Sequence, residues 1–140
     1  MRSFEIIILA GYSCAGKTTL GKAFSEFVNI DRVHQQSIYR DIASAKGYDQ
    51  ARDWLADVGP DVFIQETIDG VIKCIGELNP NRAVLIDEAY NLRGVQKIKE
   101  ALPSSRVTIV AIDVDQEIRS ARMVERISGN INNPKNIPFK

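Results

Sequence analysis

The sequence predicts a three-layer α/β/α fold built on a parallel sheet. Short apolar runs alternate along the chain with stretches whose apolar side chains recur at helical spacing. The runs are continuous rather than alternately polar, which indicates strands buried on both faces, as in a parallel sheet with helices on its two sides. The 140 residues are too few for two domains of ordinary size, so we expect one domain.

The first half of the chain predicts strand, turn, helix, strand and helix. An apolar strand at residues 4–10 runs into a glycine-rich turn, and a helix with an apolar stripe follows from Lys17 to Val28. A weak strand at 32–35 comes next. Ser37 is then placed to cap a helix that ends at Ala45.

The second half continues the alternation and ends in an amphipathic helix. The predicted elements are, in order, helices at 49–58 and 60–79, a strand at 83–87, a helix from 92 to about Pro103, and a strand at 107–113. Asp115 is placed to cap the last helix. Within that helix, Ile118, Ala121 and Val124 are expected to face inward.

Composition and charge exclude several functional classes. The 18 basic residues balance 18 acidic ones, so no overall field attracts nucleic acid, and we expect no nucleic-acid partner. The apolar stretch at residues 6–10 is far too short to span a bilayer, so we expect no membrane association. The two cysteines form no disulfide framework and no metal-ligand pattern, which favours a reducing, cytoplasmic location.

The turn between the first strand and the first helix matches the pattern G-x-x-x-x-G-K-[ST] over residues 11–18. In such a turn, backbone amides and a helix N-terminus converge on a polyphosphate. Lys17 is expected to contact the β- and γ-phosphate oxygens, and Thr18 to offer its hydroxyl to Mg²⁺. The predicted ATP-binding residues are Gly11, Ser13, Cys14, Ala15, Gly16, Lys17, Thr18 and Thr19.

Three further residues lie at the ends of predicted strands. Asp87 follows an apolar strand, where a carboxylate normally holds Mg²⁺ with Thr18. Glu88 comes next and also fits an NTPase in which the glutamate orients water. His34, the only histidine, is placed either to touch substrate or to serve a structural role.

Arginines supply the remaining positive charge that phosphoryl transfer needs. Arg122 and Arg126 are four residues apart on the last helix, beside a Gly-, Asn- and Pro-rich tail, and their forked side chains suit phosphate. Arg40 and Arg93 are further candidates. The aromatic residues in segment 37–80 fit either a base-binding pocket or a small core; they are Tyr39, Tyr48, Trp54 and Phe63.

These motifs together resemble the nucleoside monophosphate kinase group of P-loop kinases, which is related to dephospho-coenzyme A kinase. The resemblance implies a helical acceptor-binding insert at about 37–80 and a lid at about 123–140. Arg40 and Arg93 would then bind the acceptor phosphate. Lys17, Asp87, Arg122 and Arg126 would form the catalytic set.

The chain departs from that group in three places. Gln36 and Ser37 stand where many relatives have an acid, and Glu88 replaces a small residue. Relative to the group's usual fold, the return arginines of the lid and the last strand and helix are expected to be missing.

The expected activity is transfer of the γ-phosphoryl group of Mg·ATP to the phosphate of a nucleotide-like acceptor, by a monomer or homodimer. One alternative is an NTPase, or a kinase for a hydroxyl acceptor, that uses Glu88 or His34. The other is a nucleotide-binding regulatory module without catalysis.

Overall fold

The computed structural model describes residues 3–11, 15–27, 29–87 and 92–129. The elements in these ranges are β1 (Glu5–Ala10), α1 (Lys17–Phe27), β2 (Ile30–Val33), α2 (Gln35–Ala45), α3 (Ala51–Gly76), β3 (Ala83–Ile86), α4 (Leu92–Ala101), β4 (Arg106–Ala111) and α5 (Gln116–Gly129). All strand pairs are parallel, in the order β2-β3-β1-β4. The predicted α/β fold is confirmed. None of the helices in these ranges has both the length and the apolar character that a membrane crossing requires.

The apolar runs divide their side chains between the two faces of the sheet. In β1, Ile6 and Ile8 belong to the larger of two apolar clusters, whereas Leu9 belongs to the smaller one. In β3, Ile86 and Leu85 are divided in the same way. Because side chains alternate along a strand, the two clusters lie on opposite faces. Helices α2, α3 and α4 contribute to the larger cluster, and α1 approaches the opposite face at Gly21, beside Leu85.

Helices α2 and α3 occupy the segment predicted as an acceptor-binding insert. The rings of Tyr39, Trp54 and Phe63 are almost completely buried, with centroids 5.4 Å apart for Tyr39 and Phe63 and 4.7 Å apart for Trp54 and Phe63. These rings therefore form core. Helix α3 is kinked at Gly59, where φ is 83°, so two helical stretches meet at Pro60, as the sequence predicts.

The start of α2 differs from the prediction. The helix begins at Gln35, with His34 rather than Ser37 at the N-cap, and no side chain caps it. The His34 carbonyl already accepts from the backbone amide of Ser37 at 3.1 Å, so Ser37 lies within the first turn. Strand β2 correspondingly covers 30–33 instead of 32–35.

The prediction that an apolar stripe of α5 faces inward is wrong. Ile118 is 46% exposed and Val124 is 62% exposed. The reason is that α5 makes no extensive contact with any other element in the described part of the chain. The apolar residues of α5 have the spacing of an amphipathic helix, but the helix does not lie against the sheet.

Close approach of α1 to the sheet depends on Gly21. A Cβ at this position would lie 2.9 Å from Asp87 Cβ and 3.5 Å from Leu85 Cδ2. Since Asp87 Cβ is fixed by the backbone, we expect Gly21→Ala to push α1 outward and to lower the free energy of unfolding by about 1–3 kcal/mol.

Urea denaturation measures this loss. The control is Gly76→Ala at the end of α3, where a Cβ would meet no heavy atom within 4 Å. That change is expected to leave stability unaltered or to raise it by up to about 1 kcal/mol. Equal effects of the two substitutions would contradict a steric role for Gly21.

Candidate functional site

The carboxyl ends of the parallel strands bring the predicted functional residues to one edge of the sheet. Gly11 follows β1, His34 follows β2 and Asp87 follows β3. Ligands bind at this edge in open α/β folds. The site therefore combines residues from three strands that are distant in sequence.

Gly11 and Gly16 flank the turn after β1, and the described residues at its end lead directly into α1. Gly16 has a φ of +95°, a backbone conformation that residues other than glycine rarely adopt, and α1 begins at the next residue. The Lys17 ammonium donates to the Gly11 carbonyl at 2.7 Å, so the side chain folds back across the loop. No acidic residue lies in the first turn of α1, so nothing there offsets the positive end of the helix.

The other predicted ATP-binding residues have different positions. Ala15 is buried, whereas Thr18 and Thr19 are exposed on the first turn of α1. Ser13 and Cys14 lie outside the described residues, as do Glu88 and residues 130–140 of the predicted lid.

Arg122 lies beside the loop. Its Nη1 atom is 3.8 Å from the position that a Cβ of Gly16 would occupy. Arg126 is exposed one turn further along α5. The structure thus brings the first of these two predicted arginines to the end of α1 where a phosphate would bind.

His34 and Asp87 are neighbours because of the strand register. Val33 of β2 is paired with Ile86 of β3, so His34 and Asp87 are the next residues along the two strands. His34 Nδ1 lies 2.9 Å from both carboxylate oxygens of Asp87, whose side chain is 1% exposed. Arg32, two residues before His34 on the same face of β2, donates to Asp87 Oδ2 from Nε at 2.6 Å.

The contacts of His34 assign its tautomer. Nδ1 has two acceptors at 2.9 Å, the carboxylate oxygens of Asp87, and one donor at a longer distance, Arg32 Nη2 at 3.3 Å. A proton on Nδ1 satisfies both of the shorter contacts, whereas an unprotonated Nδ1 would place its lone pair against two carboxylate oxygens. We therefore assign the proton to Nδ1, which leaves Nε2 as the acceptor of the neutral ring. Nε2 makes no hydrogen bond to another residue in the described ranges, and the His34 side chain is 25% exposed.

The two arginines predicted to bind the acceptor have different surroundings. Arg93 Nη1 donates to Asp61 at 2.7 Å, in an exposed ion pair between α4 and α3. Arg40 is exposed on α2 and forms no ion pair with any described residue. Their roles stay predictions.

Sequence reasoning missed one residue of the site, Arg32, and one buried polar residue beside it in the chain, Gln35. The sequence does contain an indication of Arg32, because an arginine within a short, largely buried strand requires a partner of opposite charge. Gln35 is 1% exposed and its Nε2 has no hydrogen-bond partner in the described part of the chain. Cys74 lies on α3, away from this edge, and burial raises the pKa of its thiol, which makes it a poor nucleophile.

The residues at the start of α1 are suited to binding the phosphates of a nucleotide. The positive φ of Gly16, the N-terminus of α1 with no acidic residue in its first turn, and Lys17 are features that suit phosphate binding. For Mg²⁺, Thr18 is exposed and available, whereas the oxygens of Asp87 are engaged by Arg32 and His34. No cluster of three or more histidine, cysteine or carboxylate side chains suited to a metal occurs among residues 3–11, 15–27, 29–87 and 92–129.

Solved structures of kinases resemble this fold at low sequence identity. A protein from Chloroflexus aurantiacus described as a kinase has a TM-score of 0.69 at 15% identity, over 98% of this chain and 73% of that one. A gluconokinase from Sinorhizobium meliloti has 0.60 at 14%, over 91% and 68%. Shikimate kinase from Aquifex aeolicus has 0.56 at 21%, over 81% and 62%.

The sequence itself matches a family model. No curated protein matches the chain. The model described as chloramphenicol phosphotransferase-like protein matches residues 4–131, which is nearly the whole chain. The chain therefore belongs to the chloramphenicol phosphotransferase-like family and has the fold of the P-loop kinases.

Proposed function

We propose that the protein transfers the γ-phosphoryl group of ATP to a hydroxyl group of a small molecule, and that His34 accepts the hydroxyl proton. The observation that carries this proposal is the contact of His34 Nδ1 with the buried Asp87, which leaves Nε2 as an acceptor at the edge of the sheet. The family is named for a phosphotransferase, and gluconokinase and shikimate kinase are named for acceptors that carry hydroxyl groups.

The donor side of the site is built on α1. Lys17 would leave the Gly11 carbonyl and bind the phosphates, with the amides at the start of α1. Arg122, beside Gly16, is close enough to share the charge of the transferred group. When bound, Mg²⁺ offsets phosphate charge, and Thr18 is the residue that would hold it.

The acceptor side is built on the residues after β2. The acceptor oxygen attacks the γ-phosphorus, the bond from that phosphorus to the bridging oxygen breaks, and ADP leaves. The hydroxyl proton passes to Nε2 of His34, whose orientation Asp87 holds.

A second candidate keeps the acceptor that the sequence predicts, the phosphate of a nucleotide-like molecule. The observation that favours it is Arg40, which is exposed in the middle of α2 without an ion pair to a described residue. A phosphate acceptor needs such a cation and does not need a proton acceptor.

Replacement of His34 tests the first candidate. In His34→Asn, the side-chain amide can still donate to Asp87, but the acceptor nitrogen is lost. We expect kcat to fall by about 10²- to 10⁴-fold with little change in KM for ATP. The control is Gln36→Ala at the neighbouring, half-buried position, which is expected to retain activity. A His34→Asn enzyme with full kcat would contradict the proposal.

An acceptor panel separates the candidates. ADP release is measured with polyols, hydroxyl-bearing aromatic compounds, nucleoside monophosphates and no acceptor, with Lys17→Ala as the inactive blank and Lys22→Ala as the control on the same helix. Stimulation by hydroxyl compounds supports the first candidate. Stimulation by nucleoside monophosphates that Arg40→Ala abolishes supports the second. Equal release without acceptor indicates an NTPase, and ATP binding without release indicates a regulatory module.

A further inference from the structure

Arg32 is a charged residue inside a short buried strand. It lies opposite Leu85 in the β2–β3 register, and its side chain is 20% exposed. Strand alternation places it on the same face as His34, towards Asp87 on the neighbouring strand. A cation in this position is stable only with a partner of opposite charge.

Asp87 is that partner, and it contacts Arg32 through a single oxygen, Oδ2. Oδ2 accepts a hydrogen bond from Arg32 Nε at 2.6 Å, and it lies 2.5 Å from Arg32 Nη2 in the same ion pair and 2.9 Å from His34 Nδ1. Oδ1 faces His34 Nδ1 at 2.9 Å. On the α1 side, a Cβ at Gly21 would lie only 3.6 Å from Oδ2, so the helix covers the carboxylate there.

These contacts differ from those expected of a metal ligand. Mg²⁺ needs carboxylate oxygens with open lone pairs and a near-octahedral shell. Here a planar guanidinium already balances the charge of Asp87, with one hydrogen bond from Nε to Oδ2 and Nη2 in ion-pair contact with the same oxygen. In the structure, the Asp87 carboxylate instead contacts Nδ1 of His34 and so orients its ring.

We propose that Arg32 is a positioning residue that neutralises Asp87 from within the sheet, so that Asp87 orients His34 and does not ligate the divalent cation directly. The cation would then be held by Thr18 and the phosphates of the nucleotide, and its binding would require the nucleotide. This inference rests on the proposed function only through the role of His34. It replaces the metal role that the sequence predicts for Asp87.

Manganese binding tests the proposal without any turnover. Free Mn²⁺ is titrated into the protein without nucleotide and followed by electron paramagnetic resonance. We expect weak binding to the wild type and at least about tenfold tighter binding to Arg32→Gln, because the carboxylate loses its internal cation. The double variant Arg32→Gln/Asp87→Asn is expected to lose this gain.

Arg82→Gln is the matched control. It removes the partly exposed pair of Arg82 with Asp31, at the amino end of the same two strands, and is expected to leave Mn²⁺ affinity unchanged. Equal Mn²⁺ affinity of wild type and Arg32→Gln would overturn the proposal. So would a gain that persists in the double variant.

A second measurement applies if Arg32→Gln does not fold. Mn·ATP affinity is measured by calorimetry for Asp87→Asn and Thr18→Ala in the otherwise wild-type chain. We expect Thr18→Ala to weaken it about tenfold and Asp87→Asn to leave it within about twofold. A tenfold loss in Asp87→Asn would mean that Asp87 ligates the metal. Both tests measure binding, so their failure is distinct from failure of the His34 and acceptor experiments.

Discussion

The site depends on the contacts that the buried carboxylate of Asp87 makes with its neighbours. It stands beside His34 because the parallel register pairs Val33 with Ile86, and it contacts Arg32 because that residue lies on the same face of β2. Removing one partner of a buried ion pair leaves an uncompensated charge, at a typical loss of about 3–5 kcal/mol. The same contacts thus join the two strands and orient the only histidine of the chain.

In the function we propose, the edge of the sheet separates two chemical tasks. The first turn of α1 has no acidic residue and carries Lys17 next to Gly16, an arrangement that suits a polyphosphate. After β2, the His34 side chain is 25% exposed and its Nε2 makes no hydrogen bond to a described residue. A donor that is highly charged and an acceptor that presents a hydroxyl group would meet between them, with Arg122 beside the donor.

Much of the fold could be predicted from local pattern, but the contacts of the site could not. The order of strands and helices and the turn at residues 11–18 follow from apolar periodicity and glycine placement. The pairing of His34 with Asp87 depends on a register between residues 53 positions apart, which no local pattern contains. Apolar spacing was also misleading in α5, because it shows that a helix is amphipathic and not that a partner covers it.

The ring of His34 offers the most direct test of this account. The chain has one histidine, so long-range proton–nitrogen correlation NMR reports its tautomer without assignment by mutation. For the neutral ring the account predicts a proton on Nδ1, where Asp87 accepts it, and a bare Nε2. A ring with the proton on Nε2 and a bare Nδ1 would contradict it, since Asp87 would then not hold the histidine as a proton acceptor.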